Sequence, residues 1–199
     1  MNITNFIKKT RIHLLILTIL LLSSSCKNSQ ALFQESASNW DKNGDAIWEF
    51  SDGILNGSIM RGNSFVMTNQ KYDDYILELE FSPDAAINSG VYIQCSERVI
   101  NTEKCYEVNI SDNNATPANR TGSIVPIAAP LVAVETIDKW NTLKIKVEGN
   151  HFQVWTNGTL TADATDDKLS DGFIALQALG NNQTNGKIQF KNIKITPLE

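Results

Sequence analysis

Two stretches of alternation set the frame of this chain: NSGVYIQC at residues 88–95 and CYEVNISD at residues 105–112. A period of two between apolar and polar positions is the pattern of a strand with one buried face. In the first stretch Val91, Ile93 and Cys95 share one side, and Tyr92 and Gln94 share the other. In the second, Tyr106, Val108 and Ile110 lie opposite Cys105, Glu107 and Asn109. The valines and isoleucines belong in a core. Tyr92, Gln94, Glu107 and Asn109 are therefore expected on the open face of one sheet, a row of hydrogen-bonding groups with one carboxylate in it.

The same period recurs along the chain. Tyr75, Leu77, Leu79 and Phe81 face inward with Glu78 and Glu80 outward, and Leu143, Ile145 and Val147 alternate with Lys144, Lys146 and Glu148. Trp155 has the parity of His151 and Gln153 rather than of Phe152 and Val154, which would expose it, although packing in the core or at its rim is the favoured place for both Trp155 and Trp140. Asp52-Gly53, Gly149-Asn150, Asn157-Gly158 and Asn185-Gly186 mark tight turns, because these residues tolerate positive φ. Residues 172–177 are almost wholly apolar, as expected of a strand in mid-sheet. Residues 111–135 hold three prolines and no period, and a connection of this length is usually functional or mobile. Ten or more short strands and no helix of any length predict an all-β fold, a two-sheet antiparallel β-sandwich of jelly-roll type.

The first residues read differently. Lys8, Lys9 and Arg11 precede an apolar run over residues 14–22, and three serines lead into Cys26. The run is too short for a stable span and reads as a signal peptide over residues 1–25. Small residues before a cysteine resemble a bacterial lipoprotein signal, cut before Cys26 and acylated there, although Ser23 stands where such signals usually have leucine. Cleavage without a lipid is the other reading. Residues 26–38 are expected to be a polar tether and 39–199 the domain, exported and held at the outer membrane through Cys26. Lys27-Asn28-Ser29 carries no acidic cluster, which favours the periplasmic side.

Processing takes the formal charge from −5 to −8, since three basic and no acidic residues leave with the signal. So acidic a chain is ill suited to nucleic acid. His151 becomes the single histidine, which disfavours His/Cys zinc sites and makes a Ser-His-Asp triad depend on a turn-flanking residue. Asp112-Asn113-Asn114 suits an Asx turn better than a calcium loop. Export permits a disulfide between Cys95 and Cys105. Parity sets them on opposite sides, so the bridge requires the alternation to break near the end of its hairpin.

Ordered through residues 38–197 are Trp48 with Ser51-Asp52-Gly53-Ile54-Leu55, Lys71-Tyr72-Asp73-Asp74-Tyr75, Asn88-Ser89-Gly90-Val91-Tyr92 and Tyr106-Glu107-Val108-Asn109 with Asp112. Thr121-Gly122-Ser123, Trp140-Asn141, Gly172-Phe173-Ile174-Ala175-Leu176-Gln177 and Phe190-Lys191-Asn192-Ile193 follow. Together they resemble the 3-keto-disaccharide hydrolase domain family, whose fold is a concanavalin A-like jelly roll. The resemblance implies a carbohydrate partner and cleavage of the glycosidic bond in sugars oxidised at carbon 3. The alternative is a carbohydrate-binding module using the same face without turnover.

A ketone at C3 acidifies the hydrogen on C2, so one base can remove it and expel the C1 substituent. The route needs that base and a hydrogen-bond donor or a divalent metal ion for the enolate oxygen, but not a pair of carboxylic acids. Glu107 is the candidate base. Tyr92, Gln94, Asn109, Asn88, Trp140 and Gln177 are the candidate substrate-binding residues. Three positions depart from the family pattern: Gln94 replaces an arginine, Leu179 a histidine, and Val125 stands where a tyrosine is common.

Overall fold

The computed structural model describes residues 28–36 and 39–198. Fourteen strands follow in order: β1 (Gln30–Ala31), β2 (Trp40–Asn43), β3 (Ile47–Ser51), β4 (Ile54–Ile59), β5 (Asn63–Thr68), β6 (Tyr75–Pro83) and β7 (Ser89–Cys95). Then come β8 (Tyr106–Ile110), β9 (Ile124–Val125), β10 (Asn141–Glu148), β11 (His151–Thr156), β12 (Thr159–Thr165), β13 (Phe173–Leu179) and β14 (Gly186–Pro197). Among the described residues the only helix is a 3-10 turn at Pro117–Asn119.

All pairings are antiparallel and form two sheets. One runs β12-β11-β10-β6-β14-β4-β3 with β1 added on β14, and the other runs β2-β5-β13-β7-β8-β9. Except at the end of β7, the alternation read from the sequence is obeyed on both. Leu77, Phe81, Phe190 and Ile195 of the first sheet meet Val66, Val91, Ile93, Val108, Ile174 and Leu176 of the second, each 0% exposed. These strands form because β-branched and aromatic residues fit the pleated, half-buried surface that each sheet offers the other. The first sheet turns Glu78 and Glu80 outward, where they pair with Lys194 and Lys191.

The turn signals are honoured unequally. Asp52 and Gly53 have φ of 53° and 76°, and Asn157 and Gly158 have 51° and 77°, the mirror-image turns that match strand twist. Asn185-Gly186 makes no hairpin. The strands around it, β13 and β14, lie in different sheets, so the segment crosses from one layer to the other. Gly186 serves close packing instead, since a Cβ there would stand 3.0 Å from Ile87 Cδ1.

Two further expectations are corrected or left outside. Residues 26–38 are not a free tether along their described part, because β1 pairs with β14 and both Leu32 and Phe33 are 1% exposed in the core. Residues 1–25 and Cys26 lie outside the described residues. Among the described residues no helix is long and apolar enough to cross a membrane.

The irregular stretch between β8 and β10 is held by one carboxylate. Asp112 accepts hydrogen bonds from Thr121 Oγ1 at 2.5 Å, Thr136 N at 2.5 Å and Thr136 Oγ1 at 2.8 Å. It acts as a clasp between two loops. Asp112→Ala is expected to cost about 2–3 kcal/mol, because charge-assisted bonds are lost and three donors lose their acceptor. Urea unfolding of the two proteins measures it.

Candidate active site on the outer face of the second sheet

The site begins with a glycine. Gly90 lies between Asn109 on β8 and Gln177 on β13, and two residues further along Tyr92 stands between Glu107 and Ala175. A Cβ on Gly90 would lie 2.7 Å from Glu107 Oε1 and 3.0 Å from its Cγ. The carboxylate therefore occupies the space above a bare stretch of backbone. Only the residue without a side chain leaves that space.

A chain of hydrogen bonds fixes the carboxylate. Gln177 Nε2 lies 3.1 Å from Asn63 Oδ1 and donates to Tyr92 Oη at 3.1 Å. The Tyr92 hydroxyl in turn donates to Glu107. Asn109 Nδ2 donates to the carbonyl of Asn119, which ties β8 to the 3-10 turn. The acceptor ends of these amides are left over: Asn88 Oδ1, Asn109 Oδ1 and Gln177 Oε1 are buried and without a partner. Buried acceptors of this kind call for donors from a ligand or water.

Burial pushes the Glu107 carboxyl up to about 7, and the Tyr92 bond pulls it only partly back. Burial also raises the Tyr92 phenol, with the Glu107 charge adding to it, so the phenol keeps its proton. Two departures from the family pattern sharpen this environment. Val125 is the cross-strand partner of Glu107, and Leu179 pairs with Asn63 and bridges to Asn88. The apolar Val125 beside Glu107 withholds a dipole that would solvate the anion.

The expected residues are gathered unevenly. Tyr92, Glu107, Asn109, Asn88 and Gln177 share the face, but it is less open than the alternation suggests. Tyr92, Asn109 and Gln177 are 6%, 3% and 2% exposed, and only Glu107 and Asn88 are partly accessible. Gln94 is not on an open face. The β13–β7 register shifts between Phe173 and Ala175, Gln94 has φ of 48°, and its side chain is buried with both amide atoms unpartnered. This bulge adds one residue to β7 and returns Cys95 to the Tyr92 side.

The bulge also decides the cysteines. Cys95 and Cys105 form a disulfide with Cα atoms 4.2 Å apart, on the side that parity alone denied to Cys95. Closing a loop of this length is worth about 3 kcal/mol in the chain-entropy account. Cys95→Ser with Cys105→Ser is therefore expected to lower stability by that order, read as a shifted urea midpoint.

Trp140 is elsewhere. Lys191 Nζ sits 4.0 Å from its ring centre, and Lys191 pairs with Glu80 of the first sheet. Trp155, outward as its parity indicates, lies under Lys144 at 4.7 Å and helps line a cavity of about 980 Å³ on that other face. His151 meets Asp163 at 2.7 Å as a half-exposed surface pair. Two contributors had no signal in the sequence: Asn63, which only β5–β13 register brings to Gln177, and Arg98, in the loop after β7. For a divalent ion the donor set does not fit: no group of three or more His, Cys, Asp and Glu is placed to hold a metal among the described residues.

A candidate glycosyl hydrolase from Parabacteroides distasonis superposes with a TM-score of 0.74 at 24% identity, covering 86% of this chain and 100% of that one. A lichenase (β-1,3-1,4-glucanase) from a mouse hindgut metagenome gives 0.61 at 15% identity over 86% and 99%. A carbohydrate-binding module of Bacillus subtilis gives 0.60 at 18% identity over 79% and 95%. These likenesses establish the jelly-roll fold. No curated protein matches the sequence. The model of the 3-keto-alpha-glucoside-1,2-lyase-like domain matches residues 28–196, and the chain belongs to that family of carbohydrate-acting domains.

Proposed function

We propose that this chain takes a proton from C2 of a glycoside oxidised at C3 and expels the C1 substituent, with Glu107 as the base. The observation that carries the reading is the Glu107 carboxylate itself. It is partly buried, held over Gly90 by Tyr92, and poised near neutrality. A base is most effective when its pKa lies near the working pH.

In the first step the C2–H bond breaks, its proton passes to Glu107, and the electron pair spreads to the C3 oxygen as an enolate. Protonation of Glu107 weakens the bond it accepts from Tyr92. The phenol, kept protonated by burial, then becomes available as a donor to the enolate oxygen. In the second step the C1–C2 double bond forms, the C1–O bond breaks, and the leaving oxygen takes a proton from water. Addition of water to C1 of the enone converts elimination into net hydrolysis. Asn88, Asn109 and Gln177 offer their unpartnered oxygens to sugar hydroxyls.

Aglycone release from methyl 3-keto-α-glucoside and from its unoxidised parent tests the reading. Release is expected from the keto sugar alone, with kcat/KM rising to a plateau as pH passes through about 7. Equal release from both, or a profile flat across neutrality, contradicts it. A second reading, sugar binding without turnover, is favoured by the apolar or buried groups at Gln94, Val125 and Leu179, and it predicts binding of the keto sugar with no release. The same proposal places the domain outside the cytoplasm, held by a lipid on Cys26 at the outer membrane and facing the periplasm. Labelling with a radioactive fatty acid, lost in Cys26→Ala, checks the anchor.

A further inference from the structure

We infer that Asn63 is a positioning residue: by holding the amide of Gln177 it sets the direction of the hydrogen bonds that reach Glu107. The inference rests on the proposed role of Glu107 as the base, and it names a group that touches neither the sugar nor the carboxylate.

Asn63 opens β5 and pairs with Leu179, so it stands diagonally across from Gln177 on one face of the sheet. Both backbones are fixed beneath these amides. Gly180 N donates to Gly62 O at 3.0 Å, and Ser89 Oγ donates to Gln177 O at 2.6 Å. Gln177 Nε2 has two hydrogens, and both are committed, one to Asn63 Oδ1 and one to Tyr92 Oη, each at 3.1 Å. A phenol oxygen that accepts from Gln177 still has its own proton to give. It gives that proton to Glu107.

The network has an opposite that also closes. With the Gln177 amide turned over, Oε1 would accept the Tyr92 proton, and Glu107 would face a phenol with nothing left to donate. That arrangement would relieve Gln177 Oε1, which is buried without a partner. Asn63 opposes it, because a carbonyl oxygen only accepts and so demands the Nε2 end of the amide. Water in its place both donates and accepts, and would not discriminate. The other groups around Glu107 do not replace the Tyr92 proton. β7 brings Tyr92 as its titratable neighbour and β9 brings Val125. In the loop ahead of β8, Lys104 pairs with Glu97 at 2.5 Å, Arg98 pairs with Asp41 at 2.8 Å, and Glu103 is exposed. In the loop after it, Arg120 Nε turns to Asn114 O at 3.3 Å and Asp112 is taken up by Thr121 and Thr136.

The test follows Glu107 itself, through the pH titration of its carboxyl carbon by NMR, in the parent, Asn63→Ala and Asn63→Asp. Asn63 is exposed at the first position of its strand, so both variants keep the fold. Asn63→Ala is expected to raise the midpoint by about one pH unit, because the carboxylate loses its donor. Asn63→Asp keeps an accepting oxygen, and its charge lies three strands away in solvent, so its midpoint should stay within about 0.3 of the parent's. On methyl 3-keto-α-glucoside the alanine variant should lose about fivefold in kcat/KM at pH 7 and regain most of it at pH 9. A merely structural loss would not recover with pH. An unchanged midpoint in Asn63→Ala, or an equal rise in both variants, overturns the inference. Turnover by the parent is read separately: no release, with the midpoints still ordered as expected, would sink the catalytic reading and leave the positioning role standing.

Discussion

Glu107→Gln is expected to lower turnover of a 3-keto glycoside by about 10²–10⁴-fold, the range for loss of a general base. It should also leave the fold at least as stable as the parent above neutral pH. The sign follows from the direction of the shift. The carboxyl is raised from 4.5 to about 7 in the fold, so its contribution to stability is complete below 4.5 and is lost as pH rises through 7. Glutamine does not titrate and escapes that loss. The gain at pH 8.5 is about 1–3 kcal/mol after allowance for partial exposure, or several degrees in Tm. Thermal unfolding at pH 5 and pH 8.5, beside the activity assay, measures both halves. A variant that turns over normally would remove Glu107 from the mechanism. One that loses activity and stability together would make it a structural residue.

Gly90→Ala carries the second large effect, through position rather than chemistry. The new Cβ would lie 2.7 Å from Glu107 Oε1 and 3.0 Å from Cγ, closer than side chains approach. Gly90 does not have positive φ, so the backbone accepts alanine, and the flexible Glu107 side chain swings away. Stability should change by less than about 1 kcal/mol, since alanine in a strand also restricts the unfolded chain. Activity should fall about 100-fold, because an ångström of misplacement undoes the alignment of base and C2 hydrogen. Circular dichroism and denaturation confirm the fold while kcat/KM is followed. Full activity in this variant would show that the seat above Gly90 is not where the base works.

The two substitutions separate what Glu107 does from where it stands. A binding module without turnover would show neither kinetic effect, but it would retain the pH-dependent stability, because that depends only on burial of the carboxyl. The alternatives for function therefore differ in enzymology and agree in thermodynamics. Affinity for the unoxidised sugar would favour the module further.

How much of this was legible in the chain depends on the range of the interaction. Alternation is local, so the inward sets at Leu77, Val91, Val108 and Ile145 and the outward Glu78 and Glu80 were readable, and all lie as expected. The Asp52-Gly53 and Asn157-Gly158 turns were readable for the same reason. Asn185-Gly186 shows the limit: a turn signal fixes backbone angles but not which sheet receives the next strand. The site was legible as a parity class. Tyr92, Glu107 and Asn109 were assigned to one face from period alone, and register made Tyr92 and Glu107 neighbours.

By itself, then, the sequence determined a two-sheet antiparallel sandwich, the membership of its core, and the placing of one carboxylate on an outer face. Those follow from period and residue type, which act over a few positions. Tertiary structure alone decided the bulge at Gln94 that sends Cys95 to its disulfide, the capture of Leu32 and Phe33 by the core, and the removal of Trp140 to the opposite sheet. It also decided that Glu107 rests over Gly90 with its charge half-desolvated, and that Arg98 crosses to Asp41. Each depends on which strands lie side by side and in what register. That choice is made by packing across the whole sandwich, where a shift of one residue exchanges the faces of a strand.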